Sequence, residues 1–100
     1  MIIVSGVMEV AAAAADGFAE TSRVLCASTR QEPGCVDYRF ARSIEDPAVF
    51  EIFEEWVDDA ALVAHTRTEH YRAWGGAVRE LDVRRMSFHR YEATGRTALG

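Results

Sequence analysis

The sequence predicts an α+β domain: a four-stranded antiparallel sheet with its helices packed on one face. Two observations carry this expectation. β-Branched or alternating apolar stretches stand at the start, middle and end of the chain, and segments with three- and four-residue apolar spacing separate them. The 100 residues, 49% hydrophobic and 27% charged, also have the composition of one folded domain rather than a disordered chain. A chain of this length buries roughly 65% of the surface its unfolded form exposes, which suffices for a two-layer core and a modest cavity.

The first strand is Ile2, Ile3, Val4, Val7, Met8 and Val10, β-branched and apolar on both faces. Asp16 in a first turn, then Phe18, Ser22, Leu25 and Thr29 at helical steps, predict a helix over about 14–31. Glu32-Pro33-Gly34 ends it, because proline cannot continue the hydrogen-bond ladder. Val36, Tyr38 and Phe40 alternate with Asp37 and Arg39, the pattern of a half-buried strand in which Tyr38 and Phe40 read as core. A turn over 43–47 leads to a third strand, Val49 to Trp56, with Phe50, Ile52, Glu54 and Trp56 on one face. A short helix starts at Asp58, and a second runs from Thr66 or Thr68 to Val78. Val83, Met86, Phe88 and Tyr91 form the last strand. Residues 1–92 are expected to make a single domain, with 93–100 a flexible tail.

The order β-α-β-β-α-β is that of a ferredoxin-like split βαβ unit. Helices cover one side of such a sheet, so strands apolar on both sides predict a second apolar face, and hence a homodimer that buries it.

Eleven basic residues, all arginine and scattered, stand against sixteen acidic ones for a net charge of −5. No basic footprint for nucleic acid or anionic lipid exists, and neither is an expected partner. No apolar run reaches the roughly 18 residues of a transmembrane helix. Met1 to Val10 is too strand-like for a signal peptide. A cytoplasmic location with Cys26 and Cys35 as free thiols is the expectation.

Function is sought between residues 54 and 70, where Glu54, Trp56, His65 and His70 crowd together in a chain with only three histidines. Imidazoles titrate near neutrality and suit a general base. Five residues apart, they would sit about 140° apart on a continuous helix, so both reach one pocket only if the helix breaks near Thr66 to Thr68. Glu54 shares a strand face with apolar neighbours and needs a partner. Either it orients a histidine, or it pairs with Arg39 or Arg42. Trp56 and Trp74 could stack on a flat aromatic substrate, and His70 lies beside Tyr71 and Trp74. The HxxxxH spacing lacks the geometry of a helical zinc pair, so no metal is expected. Nor does any glycine-rich phosphate loop or thiolate cluster suggest a cofactor.

Several of these features occur together in one known family. They are Met1-Ile2-Ile3-Val4 in the opening strand, Glu32-Pro33-Gly34-Cys35 followed by Tyr38, and Glu54 with Trp56 at the end of the third strand. Ala61-Leu62, His65 and His70-Tyr71 complete the set. The chain resembles the antibiotic biosynthesis monooxygenases, dimeric ferredoxin-like α+β barrels. In the polyketide-oxidising branch an Asn and a Tyr accompany the Trp, and Ile52 and Leu62 stand in their places here. The haem-degrading branch carries an axial His where this chain reads Trp74-Gly75, and an Asn near Ser5-Gly6 that is missing.

The resemblance therefore implies the quinol-oxygenase-like branch. Its members would need no cofactor, the substrate itself giving electrons to O₂. In that reading His70 and His65 are base and proton shuttle and Glu54 orients them, while Trp56, Trp74, Tyr71, Ile52 and Leu62 surround a small phenol or quinol. The alternatives are a non-catalytic small-molecule-binding or stress-response dimer, and an isomerase or decarboxylase using the same pocket.

Overall fold

The computed structural model describes residues 1–100. The chain forms β1 (Ile2–Val10), α1 (Ala15–Thr29), β2 (Cys35–Arg42), β3 (Val49–Trp56), α2 (Asp59–His65), α3 (Glu69–Arg79) and β4 (Val83–Glu92). The sheet order is β2-β3-β1-β4, with every neighbouring pair antiparallel. This is the predicted ferredoxin-like α+β architecture, its second helical segment split in two. No helix is long and apolar enough to cross a membrane.

Local chemistry sets the breaks. The alanine run opens as a 3-10 turn at Ala12–Ala14 before α1 begins. After α1 the chain reverses at Gly34, whose φ of +83° places it where a side chain would be strained. A Cβ there would also fall 2.6 Å from that of Ala61, so glycine lets α2 pack close to the turn. The carboxylate of Asp58 caps α2 by accepting from the amide of Ala61, and the hydroxyl of Thr68 caps α3 by accepting from that of Tyr71.

The helices bury one face of the sheet. Ile2, Val4, Leu25, Cys26, Tyr38 and Trp56 form one half of the core. Met8, Val10, Ala15, Phe18, Phe50, Ile52 and Val78 form the other. Phe88 and Met86 pair with Gly6 and Met8, and so lie on this same face. Both nonetheless stay substantially exposed, because the helices cover β1, β2 and β3 and stop short of β4. Gly6 has a packing role here: a Cβ would sit 2.2 Å from the Phe88 ring.

The outer face differs from the expectation. Along β1 and β3 each apolar side chain pairs with a polar one: Ile3 with Glu55, Phe53 with Ser5, Val7 with Glu51 and Val49 with Glu9. The Arg39 guanidinium lies 4.8 Å above the Phe53 ring. The face is therefore a chequerboard rather than a continuous apolar surface. The composition of each strand suggested two apolar faces, but the pairing register distributes the acids among the aliphatics. Residues 93–100 contain no helix or strand; the Ala93 amide donates to the Met1 carbonyl, and Arg96 lies 3.3 Å from Glu55.

Candidate active site

A cavity of about 370 Å³ opens between the sheet and the α2–α3 segment. Its floor is a row of adjacent strand residues, Tyr38, Glu54 and Val4, aligned by the pairings Tyr38–Glu54 and Val4–Glu54. Leu62 and His65 of α2 and Thr66 just after it line the cavity together with Tyr71 and Trp74 of α3, and Phe40, Met86 and Phe88 also face in. The lining is mostly apolar with few polar tips, and the volume falls within the ~300–1,000 Å³ of small-molecule sites.

His65 is the centre of the polar part. It ends α2, is 1% exposed, and lies against the rings of Trp56, Tyr38 and Tyr71 at 5.0, 5.1 and 4.9 Å. Its Nδ1 lies 2.7 Å from Oε2 of Glu32, and its Nε2 lies 3.2 Å from the hydroxyl of Tyr38. The helix breaks over 66–68, where the Thr68 hydroxyl donates to the carbonyl of His65. That break turns His70 back toward the same acid, with Nε2 2.5 Å from Glu32 Oε2. The two imidazoles thus converge on one carboxylate oxygen, as the spacing required if they were to share a site.

The protonation pattern follows. Burial lowers the pKa of His65, and Glu32 opposes that only in part. The ring is therefore neutral near neutrality and carries one proton. A carboxylate can only accept, so that proton sits on Nδ1 and the Nε2 lone pair faces Tyr38. Burial, then the nearby Glu54 charge, pushes the Tyr38 phenol far above its ordinary range, so it stays an O–H and donates to Nε2. Glu54 is raised to about 6 by burial, partly offset by the Trp56 indole N–H that donates to its Oε1 at 3.0 Å.

Several sequence expectations are corrected by this geometry. Glu54 bonds Trp56, not a histidine, while Arg39 and Arg42 take Asp37 and Asp16 instead. Glu32 is the acid that orients both imidazoles. His70 does not line the cavity; it borders a separate groove with Thr21, Val24, Leu25, Ala73 and Trp74. Trp56 is fully buried behind Glu54 and His65 rather than in the wall, and Ile52 packs into the Phe18–Phe50 core. Trp74, Tyr71 and Leu62 do line the cavity, and the Trp74 indole N–H donates to Ser22. His65 and His70, whose HxxxxH spacing does not make a pair on one helix, nonetheless meet at Glu32, and the three residues offer donor atoms within 4.8 Å of one another.

Tyr38 and Glu32 escaped the sequence reading of the site. Tyr38 alternates like any half-buried strand residue, and Glu32 was absorbed into a helix-ending turn. The signal that could have found Glu32 was an acid beside Pro33 in a chain with two unpartnered imidazoles.

Comparison with known proteins agrees with this fold. The sequence profile of the antibiotic biosynthesis monooxygenases matches residues 1–77. The chain belongs to the antibiotic biosynthesis monooxygenase family. A Deinococcus radiodurans protein assigned to these monooxygenases superposes with a TM-score of 0.91 at 25% identity, covering 100% of this chain and 99% of that one. The Pseudomonas aeruginosa protein PA3566 gives 0.85 at 26% identity over 94% of each chain. The Synechocystis protein sll1783 is 31% identical over 70 residues, 70% of this chain and 48% of its own length, so the match spans about half of that relative. Membership supports a general monooxygenase-like function for this antibiotic biosynthesis monooxygenase domain.

Proposed function

We propose that the protein is a cofactor-independent monooxygenase oxidising a small phenol or hydroquinone with O₂, and that it works as a homodimer. The observation that carries this reading is the His65–Tyr38 pair at the wall of an apolar cavity, with Glu32 behind it. A buried imidazole held neutral, with a lone pair directed at a phenol hydroxyl, is a base ready to take a proton through that hydroxyl. A substrate O–H beside Tyr38 passes its proton to the tyrosine oxygen as the tyrosine's own proton moves to Nε2. The imidazolium so formed is stabilised by Glu32, and His70 shares that load.

The electrons come from the substrate. Its phenolate gives one electron to O₂, and recombination of the radical pair forms a carbon–oxygen bond and a peroxide anion. His65 returns its proton to make the hydroperoxide. Loss of the adjacent C–H proton then breaks the O–O bond and expels water. For a hydroquinone the sum is hydroquinone plus O₂ giving hydroxyquinone plus water, one oxygen atom entering each product. Leu62, Tyr71, Trp74 and Phe88 supply a dry, flat-walled space in which the phenolate is poorly solvated and reactive. No arginine lines it, which favours a neutral aromatic over a carboxylate or phosphate.

Oxygen uptake with a panel of naphthohydroquinones and anthrones tests the reading. Uptake above the uncatalysed rate, with one ¹⁸O atom from labelled O₂ in the product, supports it. Tight binding of the same compounds without uptake would leave a binding protein instead.

A further inference from the structure

We propose that Glu32, His65 and His70 form a binding site for a zinc-class divalent cation, and that occupancy removes the base from the cavity. The site stands on its own geometry. Its effect on the cavity rests on the reading of His65 as the base.

His65, His70 and Glu32 each offer a donor atom within 4.8 Å of the other two, and Nδ1 of His65 and Nε2 of His70 both face Oε2 of Glu32: two imidazoles and one carboxylate from three separate segments of the chain. That donor set, with a fourth position left for water, suits zinc and its neighbours. Calcium and magnesium require more oxygen ligands than it offers. With metal–ligand bonds near ~2.1 Å, a tetrahedral centre sets its donors roughly 3.4 Å apart. The present separations of 2.7 and 2.5 Å are those of hydrogen bonds, so each imidazole must withdraw from Glu32 by less than about 1 Å to admit the ion. His70, 27% exposed in its side chain, is the ligand free to make that movement. The groove it borders with Thr21, Val24 and Ala73 gives a path for the ion that bypasses the substrate cavity. On the inner side the Tyr38 hydroxyl meets the other nitrogen of His65 at 3.2 Å, as an outer-shell partner holds a metal-bound histidine.

The consequence for the cavity is a change of tautomer at His65. A ring bound to metal through Nδ1 cannot keep a proton there, so the proton of His65 moves to Nε2. Nε2 of His65 then donates to the Tyr38 oxygen, and no lone pair remains to accept a substrate proton. Proton relay and metal site are two exclusive states of the same three residues.

Cobalt(II) is the probe. Chelator-treated protein titrated with Co²⁺ should develop tetrahedral ligand-field absorption that saturates at one equivalent per chain and is reversed by Zn²⁺. His70→Ala should weaken binding at least about 100-fold, more than the loss of an outer-shell partner alone brings, and Glu32→Gln should do the same. Nitrogen-15 spectra of the imidazoles should show the His65 proton on Nδ1 without Zn²⁺ and on Nε2 with it. Absent tetrahedral absorption, or binding in both variants as tight as in the parent, would overturn the site. Binding with the His65 proton still on Nδ1 would overturn the switch. Co²⁺ binding as described in a protein that oxidises no quinol would support the site while counting against the proposed reaction.

Discussion

The Nε2 of His65 lies 3.2 Å from the hydroxyl of Tyr38, which joins the end of α2 to the middle of β2 at the wall of the cavity. The two residues are 27 apart in sequence, and each fixes the other's proton. Burial keeps the imidazole neutral and the phenol protonated, and Glu32 decides which nitrogen is left to accept. In the proposed reaction, the base and its relay are therefore set before any substrate arrives.

Tyr38→Phe keeps the ring in the core and removes only the hydroxyl. It should cost about 1 kcal/mol of stability, the scale of one hydrogen bond, and lower kcat by about 10²-fold with little change in KM. Denaturant unfolding and steady-state oxygen uptake check the two parts. Full activity in this variant would remove Tyr38 from the relay.

Glu54 makes a pH prediction with a definite sign. Its pKa is about 6 in the fold against an ordinary 4.5. Between those values the folded protein holds a proton that the unfolded chain has released. The stability from the neutral carboxyl is thus complete below about 4.5 and lost as pH rises through about 6. Above that, the buried carboxylate costs on the order of 2 kcal/mol. Glu54→Gln still accepts from Trp56 and should be more stable than the parent at pH 8, with the difference fading toward pH 4.5. His65 has the opposite sign: its pKa is depressed, so its contribution is present above about 6.5 and lost as pH falls through the lower folded value. Urea denaturation across this range, parent against variant, decides it. A variant less stable at pH 8 would show that Glu54 is not strained by burial.

How much of this was legible in the sequence differs by element. β3 emerged with its bounds intact because a period of two persists from Val49 to Trp56 and fixes which face Glu54 and Trp56 share. The break over 66–68 followed from two imidazoles needing one site. The identity of the shared acid did not follow, because Glu32 is 33 residues from His65 and 38 from His70, and no local pattern encodes a contact across folded segments. Tyr38 was hidden for a different reason. An alternating strand looks the same whether its tyrosine hydroxyl is bonded to a base or merely tucked into the core. The register of β1 against β3, which interleaves Glu55 and Glu51 with Ile3 and Val7, is likewise set by pairing rather than by either strand alone.

Gly6→Ala tests how β4 closes the cavity. The added methyl would meet the Phe88 ring at 2.2 Å, and the ring must swing away. A loss of about 1–3 kcal/mol is the usual cost of such overpacking. The vacated side of the cavity should then accept bulkier hydroquinones. Thermal unfolding and a substrate-size series measure both effects; unchanged stability would mean that Phe88 is free to move already.

The proposed dimer would use the outer sheet face, where Ile3, Val7, Val49 and Phe53 are only half-buried in one chain. Sedimentation at micromolar concentration should give a dimer. A monomer at that concentration would remove this face as an interface.

The most direct test of the account is the rate of oxygen uptake by His65→Ala with an accepted hydroquinone, set beside His70→Ala. His65 faces the cavity and His70 supports it only through Glu32. His65→Ala should therefore lose about 10²-fold or more in kcat while still binding substrate, and His70→Ala should lose clearly less. Full activity in His65→Ala, or a larger loss in His70→Ala, would contradict the assignment of His65 as the base.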